Sequence, residues 1–182
     1  MRSAPEAAWP KLVVFDLDYT LWPLWVDTHV DPPLQRRGAA LNEVFDRSGQ
    51  AMSFYPDVPD ILFELKRRNV LIAAASRTCA PRVARQALQG LWIAPTPGET
   101  PVPAGSLFDY TEIYPGSKVA HFQQLAQETG IDYADMLFFD DEHRNAEVQK
   151  KLGVRFVQVG HRGLTRTTFE QGLQSWRKGR HH

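Results

Sequence analysis

Two aspartates, Asp16 and Asp18, come at the end of an apolar run in the stretch "VVFDLDYTLW", residues 13–22. Side chains two positions apart on an extended chain point to the same side, so these two carboxylates lie close together. Two like charges at such a distance repel each other unless a cation lies between them or one carboxyl group is protonated. The pair therefore indicates a bound cation, a phosphate chemistry, or both.

Further polar residues follow other apolar runs of the chain. Ser76 and Arg77 come at the end of "VLIAAAS", and Asp140 and Asp141 end "MLFFDD". Lys118 begins a helical pattern in "SKVAHF". The carboxyl ends of parallel strands meet in one crevice, so we expect these side chains to gather there with the first two aspartates. About four carboxylates beside a phosphate group favour Mg²⁺, a hard ion that prefers oxygen ligands.

The elements that must position these residues follow from the hydrophobic pattern. Four continuous apolar runs predict buried strands: residues 11–16, 70–76, 136–141 and 154–159. Four segments with helical spacing lie between or beside them, the last three ending in glycine: residues 58–69, 81–90, 117–130 and 144–153. Strands that alternate with helices predict an α/β fold, in which a parallel sheet has helices on both faces.

Two segments do not follow this alternation. Residues 23–56 form a long excursion between the first strand and the first helix, and we expect a small flap over the site. Residues 94–105, "APTPGETPVPAG", are rich in Pro and Gly and predict a surface loop. The flap is too short for a large cap domain, so the site should be open.

Length, charge and cysteine content restrict the class of protein. The 182 residues fit one domain, and 21 basic and 21 acidic residues leave no net charge that favours nucleic acid or an anionic membrane. Since the sequence has no apolar run of about 20 residues and no secretory signal, we expect no membrane contact. The single cysteine, Cys79, is typical of a reducing compartment, so the expectation is a cytoplasmic protein, with a monomer as the default. His181 and His182 are set aside as the start of a purification tag.

The order of the polar motifs resembles that of the haloacid dehalogenase (HAD) superfamily of phosphatases with an aspartate nucleophile. The stretches "FDLDYTLWPLWVDTHVDPP", "AAASRT", "EIYPGSKVAHF" and "FFDDEHRN" are similar in more detail to the magnesium-dependent phosphatase 1 family. The resemblance covers residues 11–175 of a single domain, 1–182, and implies a HAD-like Rossmannoid sheet without a large cap. One departure is His143, which stands where that family is expected to have asparagine.

The resemblance implies a division of roles among the acidic residues. Asp16 would attack phosphorus and form an aspartyl phosphate, while Asp18 would protonate the leaving oxygen and then activate water. Mg²⁺ would be held by the Asp16 side chain, the Asp18 backbone carbonyl and Asp140. Asp141 would bind the ion through water or hold Lys118.

The remaining residues implied by the resemblance contact the phosphoryl group or the substrate: Leu17, Thr20, Trp25, Ser76, Arg77 and Lys118. Thr20 would also orient the loop after the first strand, and Asn145 would support the acidic pair from behind. An open site suits a phosphotyrosine on a protein or a phosphosugar, so the expected partner is a phosphorylated small molecule or a phosphotyrosine protein.

Two other functions compete with this interpretation. Cys79 and Arg85 match the C-x5-R string of cysteine-dependent phosphatases, but Pro81 lacks one of the N–H groups that such a phosphate loop needs. A receiver-type switch, or a binding domain without turnover, would also combine an aspartate, an acidic pair and a lysine around Mg²⁺. In receivers the acidic pair precedes the phosphate acceptor, whereas Asp140 and Asp141 come last here.

Overall fold

The computed structural model describes residues 7–180 and places a five-stranded parallel sheet at the centre of the molecule. The strands are β1 (Leu12–Phe15), β2 (Val44–Phe45), β3 (Ala51–Met52), β4 (Leu71–Ser76), β5 (Trp92–Ile93), β6 (Val102–Pro103), β7 (Tyr110–Ile113), β8 (Met136–Asp140) and β9 (Arg155–Gln158). The helices are α1 (Val26–His29), α2 (Val58–Arg67), α3 (Pro81–Gly90), α4 (Lys118–Thr129), α5 (Glu147–Leu152) and α6 (Arg166–Gly179). The central sheet has the order β7-β4-β1-β8-β9, which confirms the predicted α/β fold.

Strand β1 lies in the middle of the sheet and is buried on both faces. Leu12 and Val14 belong to the core on one side, while Val13 and Phe15 belong to the core on the other. A continuous apolar run fits such a strand because neither face meets water. Phe15 pairs in register with Ala74 of β4 and with a residue of β8. The ends of the three strands therefore lie close together, and Asp16, Ser76 and Asp140 stand at these ends.

Helix α4 is bounded by the residues that its sequence predicts. The Ser117 hydroxyl caps the helix by accepting a hydrogen bond of 3.2 Å from the Ala120 backbone N–H. Gly130 ends the helix with a φ of 68°, a left-handed conformation that glycine adopts without steric cost. These caps fix Lys118 in the first turn, facing the end of the sheet.

Helix α3 also ends at a glycine, but for a different reason. A Cβ atom at Gly90 would lie 2.6 Å from Val44 Cγ1, much closer than atoms in contact can be. The glycine thus allows the segment that carries β2 to pack against α3. Sequence reasoning treated this glycine only as a helix terminator.

Two elements of the central unit were not predicted from the sequence. Strand β7 includes Thr111 and Glu112, so it lacks the continuous apolar run of the inner strands, and it lies at the sheet edge. Helix α6 has a regular apolar stripe formed by Phe169, Leu173 and Trp176, all buried in the core. This stripe was a signal that the sequence interpretation overlooked.

The two irregular segments are small in the structure. Residues 23–56 contain one turn of helix, α1, and the two-residue strands β2 and β3, so within residues 7–180 they supply no cap domain. Residues 94–105 are mainly loop, as predicted, but the end of the segment forms β6, which pairs with β5 at the periphery. In the part of the chain that the structure describes, no helix is long and apolar enough to cross a membrane. His181 and His182 lie outside the described residues.

Candidate active site

A cavity of about 310 Å³ opens at the carboxyl ends of β1 and β4. Its lining is mostly polar and comes from the ends of the strands, from α1 and from the turn after β8. The lining residues are Asp16, Asp18, Trp25, Asp27, Thr28, Ser76, Arg77, Thr78, Lys118, Glu142, Arg144 and Asn145. Parallel α/β sheets bind their ligands at this edge.

Lys118 is the buried cation of the site, with 1% of its surface exposed. Its Nζ atom lies 2.8 Å from Asp16 Oδ1 and 3.2 Å from Asp140 Oδ2, and it also donates to the Ala75 carbonyl. Burial opposes the charge on this ammonium, but the two carboxylates outweigh burial and raise its pKa. Lys118 therefore stays protonated and holds the ends of β1 and β8 together.

Asp16 is held at both carboxylate oxygens. Lys118 binds Oδ1, and the Thr20 hydroxyl donates a hydrogen bond of 3.2 Å to Oδ2. The Thr20 side chain is fully buried, and its backbone N–H donates to the Leu17 carbonyl at 3.1 Å. This turn after β1 orients the Asp16 carboxylate toward the cavity. Asp16 is 8% exposed, so its carboxylate is accessible from the cavity.

Asp18 lies in a different environment from Asp16. The indole N–H of Trp22 donates to Asp18 Oδ1 at 2.8 Å, and the Val26 backbone N–H donates to the same oxygen at 3.2 Å. Burial raises the pKa of Asp18 to about 7, the Trp22 hydrogen bond acts in the opposite direction, and the charge of Asp16 adds to the rise. A carboxyl group that titrates near neutral pH can both give and take a proton.

Asp140 is fully buried and is fixed by neighbours on both oxygens. The Glu142 backbone N–H donates to Oδ1 at 2.8 Å, and the Asn145 amide donates to Oδ2 at 2.9 Å. Asn145 also accepts a hydrogen bond of 3.3 Å from Arg77 Nη1. The amide therefore connects the acidic residue to a guanidinium group on the cavity wall.

Three carboxylates could hold a metal ion: oxygen atoms of Asp16, Asp140 and Asp141 lie within 4.8 Å of one another. Burial raises the pKa of Asp140 and of Asp141, and the neighbouring charge of Asp16 raises both further. A divalent cation would relieve this repulsion and keep the groups ionised. The all-oxygen set is the kind that Mg²⁺ prefers, so the residues fit the expected ion.

The structure brings most of the predicted site residues to the same cavity. Ser76, Arg77, Lys118 and Trp25 line it together with Asp16 and Asp18, and the Ser76 hydroxyl accepts a hydrogen bond of 3.3 Å from the Thr78 backbone N–H. Leu17 and Thr20 lie behind the wall, with side chains that are fully buried. Asp141 faces a second cavity, lined by Tyr19, Gln158, Val159, Gly160 and His161. His143 is exposed and is not one of the lining residues.

Sequence reasoning missed several residues that line the cavity: Asp27, Thr28, Thr78, Glu142 and Arg144. All five stand within the stretches "FDLDYTLWPLWVDTHVDPP", "AAASRT" and "FFDDEHRN", so their position in these motifs was an available signal. Asp27 and Thr28 belong to α1, whose direction depends on how the excursion packs. It also missed Trp22 as the hydrogen-bond donor to Asp18.

Cys79 does not have the surroundings of a thiolate nucleophile. Its exposed thiol donates a hydrogen bond of 3.3 Å to Asp27 Oδ2, and this contact with a carboxylate raises the pKa of Cys79. Reactive cysteines instead lie beside cations that lower the thiol pKa. The geometry therefore argues against the cysteine-dependent alternative.

The chain resembles known phosphatases in sequence and in fold. Residues 8–179 match the family model described as Acid Phosphatase. A HAD-like hydrolase superfamily protein of Schizosaccharomyces pombe is 49% identical over 82% of this chain and 85% of its own length. Human magnesium-dependent phosphatase 1 is 45% identical over 93% of this chain and 88% of its own.

Solved structures show the same fold at lower identity. The 3-deoxy-D-manno-octulosonate 8-phosphate phosphatase of Moraxella catarrhalis has a TM-score of 0.54 and 16% identity, covering 91% of this chain and 87% of that one. The phosphatase-containing N-terminal part of a Bacteroides fragilis protein has a TM-score of 0.59 and 16% identity. That match covers 92% of this chain, which spans 40% of the Bacteroides structure.

Proposed function

The chain belongs to the acid phosphatase family and to the magnesium-dependent phosphatase 1 group of HAD-like hydrolases, and we propose that it hydrolyses phosphomonoesters through an aspartyl phosphate at Asp16. Its cofactor is Mg²⁺. The observation that supports the mechanism most strongly is the contrast between two aspartates on one strand end. Asp16 is bound by Lys118, whereas Asp18 has a pKa raised to about 7.

In the first step Asp16 attacks phosphorus through one carboxylate oxygen. An oxygen–phosphorus bond forms to Asp16 while the bond from phosphorus to the leaving oxygen breaks. Asp18, protonated at the start, gives its proton to that oxygen, so the alcohol leaves as a neutral group. Thr20, 3.2 Å from Asp16 Oδ2, keeps the carboxylate pointed at the phosphorus.

In the second step the aspartyl phosphate is hydrolysed. Asp18 is now a carboxylate and takes a proton from a water molecule, whose oxygen attacks phosphorus. The bond between phosphorus and Asp16 breaks, inorganic phosphate forms, and both aspartates return to their starting states. A group with a pKa near neutral suits these opposite tasks because neither protonation state is strongly disfavoured.

The transferring phosphoryl group needs positioning and compensation of its charge. Lys118, Ser76 and Arg77 line the cavity floor and wall, where they can contact phosphoryl oxygens. Asp16 and Asp140 would hold the ion with the Asp18 backbone carbonyl, and Asp141 would bind it through water or hold Lys118. Bound Mg²⁺ supplies positive charge to the phosphoryl oxygens and keeps the carboxylates ionised.

The proposed substrates are phosphotyrosine in a protein or peptide and phosphosugars. The cavity has no cap domain over it within residues 7–180, and Trp25 stands at its wall with 48% of its surface exposed. Trp25 stacks on His29 with ring centroids 5.3 Å apart, which holds one face of the indole in place. A flat leaving group could pack against such an aromatic wall. We also propose a cytoplasmic location, on the basis of the single cysteine, with a monomer as the default state.

Hydrolysis of p-nitrophenyl phosphate tests the mechanism directly. Wild type, Asp16→Asn and Cys79→Ser are each assayed with Mg²⁺ and with EDTA, and mass spectrometry checks the acid-quenched protein for a phosphorylated residue. We expect turnover that needs Mg²⁺, falls at least about a thousandfold in Asp16→Asn, and is retained in Cys79→Ser. Activity that resists EDTA and is lost in Cys79→Ser would support the thiol instead. A protein that becomes phosphorylated but does not turn over the substrate would support the receiver-type switch.

A further inference from the structure

We propose that Arg144 forms a subsite for a second anionic group, a carboxylate on the leaving-group side of the substrate. This inference rests on the proposed function, because it assumes that the phosphoryl group is bound at Asp16. Arg144 lines the same cavity as Asp16 and Lys118 but takes no part in the mechanism described above. Guanidinium groups bind carboxylates well because two parallel N–H donors match the two oxygens.

The depth of the cavity separates the two ends of a bound substrate. Lys118 and Ser76 at the floor are 1% and 2% exposed, whereas the Arg144 side chain is 62% exposed at the rim. The phosphoryl group must reach the floor to meet Asp16. The leaving group then extends outward, past the rim where the Arg144 guanidinium stands.

The partner of Arg144 in the structure can be displaced. Arg144 pairs with Glu142, whose side chain is 41% exposed, so both members of the ion pair are well solvated. Such surface pairs contribute little to stability, and Glu142 loses little when it returns to water. The backbone of Glu142 stays fixed because its N–H donates to Asp140. A substrate carboxylate could therefore replace the Glu142 side chain without disturbing the site.

The charged residues in the lining of the cavity give the subsite a direction. Arg77 donates a hydrogen bond of 3.3 Å to Asn145, the residue next in sequence to Arg144, and both arginines line the cavity. Trp25, which precedes α1, and Asp27 of α1 also line the cavity. An anionic leaving group would be repelled by Asp27 and attracted to Arg144. The geometry favours a flat leaving group that packs on Trp25 and directs its carboxylate to Arg144.

Calorimetric binding of two phosphonates in the presence of Mg²⁺ tests the subsite without turnover. The ligands are 4-carboxybenzylphosphonate and its carboxamide, which differ only in the charge of the outer group. We expect wild type to bind the carboxylate about fivefold more tightly, a difference of about 1 kcal/mol. Arg144→Met should reduce this preference to about one, and Glu142→Gln should increase it because the competing carboxylate is gone. Arg67→Met, an exposed arginine at the far end of α2, is the matched control.

A wild type without the preference, or an Arg144→Met variant that keeps it, would overturn the subsite. Hydrolysis of phenyl phosphate by wild type reports separately on the proposed function. A preference without hydrolysis rejects only that function, and hydrolysis without a preference rejects only the subsite.

The source of the carboxylate is distinguished by two substrate pairs. One is 4-carboxyphenyl phosphate with its carboxamide, and the other is a phosphotyrosine peptide with Glu or Gln after the phosphotyrosine. A preference that depends on Arg144 in the first pair alone identifies a small organic acid. The same dependence in the second pair identifies an acidic peptide, and no dependence in either pair rejects the proposal.

Discussion

The Nζ atom of Lys118 lies 2.8 Å from Asp16 Oδ1, although the two residues are 102 positions apart in the chain. The contact joins the first turn of α4 to the end of β1, in a position that is almost closed to water. An ion pair in such a place stabilises only when its charges are balanced and its hydrogen bonds are satisfied. Asp140, 3.2 Å from the same ammonium, adds a second carboxylate, so the site keeps an excess of negative charge that a divalent cation would offset.

Lys118→Met should destabilise the protein in EDTA by about 3 kcal/mol, because removal of one partner leaves carboxylates buried without compensation. Added Mg²⁺ should restore part of this loss, since a cation among Asp16, Asp140 and Asp141 offsets the same repulsion. Phosphatase activity should fall at least about a hundredfold even at saturating Mg²⁺. Urea unfolding with and without Mg²⁺, and kcat for p-nitrophenyl phosphate, measure these effects. Unchanged stability in EDTA would contradict the assigned role.

Trp22→Phe should shift the pH dependence of catalysis upward. The indole donates to Asp18 Oδ1 at 2.8 Å and thereby stabilises the ionised carboxylate. Without this donor the pKa of Asp18 should rise above its wild-type value of about 7, so the carboxyl group stays protonated to higher pH. Phenyl phosphate releases phenolate, a poor leaving group that needs a proton. With this substrate we expect kcat/KM of wild type to decline as the pH rises through about 7. In Trp22→Phe the same decline should occur about half a pH unit to one pH unit higher.

The control for this prediction is the leaving group. p-Nitrophenolate leaves without a proton, so the high-pH decline for p-nitrophenyl phosphate should be weaker in both proteins. A downward shift for phenyl phosphate in Trp22→Phe would show that Asp18 does not titrate as the acid.

The inner strands and their polar ends could be predicted from the sequence because each signal is local. Burial on both faces requires a continuous apolar run. The polar residue that ends such a run stands at the carboxyl end of the strand, as Asp16 and Asp140 do. Strand β7 lacked this signal because an edge strand can carry polar side chains such as Glu112. Its place depends on pairing with β4, which residue spacing does not encode.

The walls of the cavity were harder to predict than its floor. Asp27 reaches the cavity only because α1 packs with its first residue, Val26, buried and the next residue exposed. This orientation depends on tertiary packing, which includes the contact of α1 with α3. Tertiary packing of this kind has no period in the sequence.

Gly90→Ala should destabilise the protein by about 1–3 kcal/mol, because the new methyl group would lie 2.6 Å from Val44 Cγ1. A helical position normally favours alanine over glycine, so local propensity predicts the opposite sign. Urea unfolding compares wild type, Gly90→Ala and the double variant Gly90→Ala/Val44→Ala. If the clash is the cause, Gly90→Ala should lower the free energy of unfolding less in the Val44→Ala background than in wild type. A Gly90→Ala variant more stable than wild type would show that Val44 does not pack tightly against α3.

His121→Gln should remove part of the acid sensitivity of the fold. His121 Nε2 lies 2.9 Å from the Tyr114 carbonyl and so donates to it, while the buried Nδ1 has no partner among residues 7–180. Burial lowers the pKa of His121 from 6.5 to about 4, and the nearby charges of Lys118 and Arg77 act in the same direction. Gln can keep the donor to Tyr114 without a group that titrates in this range.

The sign of this effect follows from proton binding in the two states. Between pH 6.5 and about 4 the unfolded chain binds a proton at His121 and the folded protein does not, so stability falls as the pH falls through this window. Above pH 6.5 the residue is neutral in both states and contributes no pH dependence. We expect wild type to lose on the order of 2 kcal/mol more than His121→Gln between pH 7 and pH 4. Urea unfolding at both pH values measures the difference. Equal losses of unfolding free energy in the two proteins would show that His121 is protonated in the folded state as readily as in the unfolded chain.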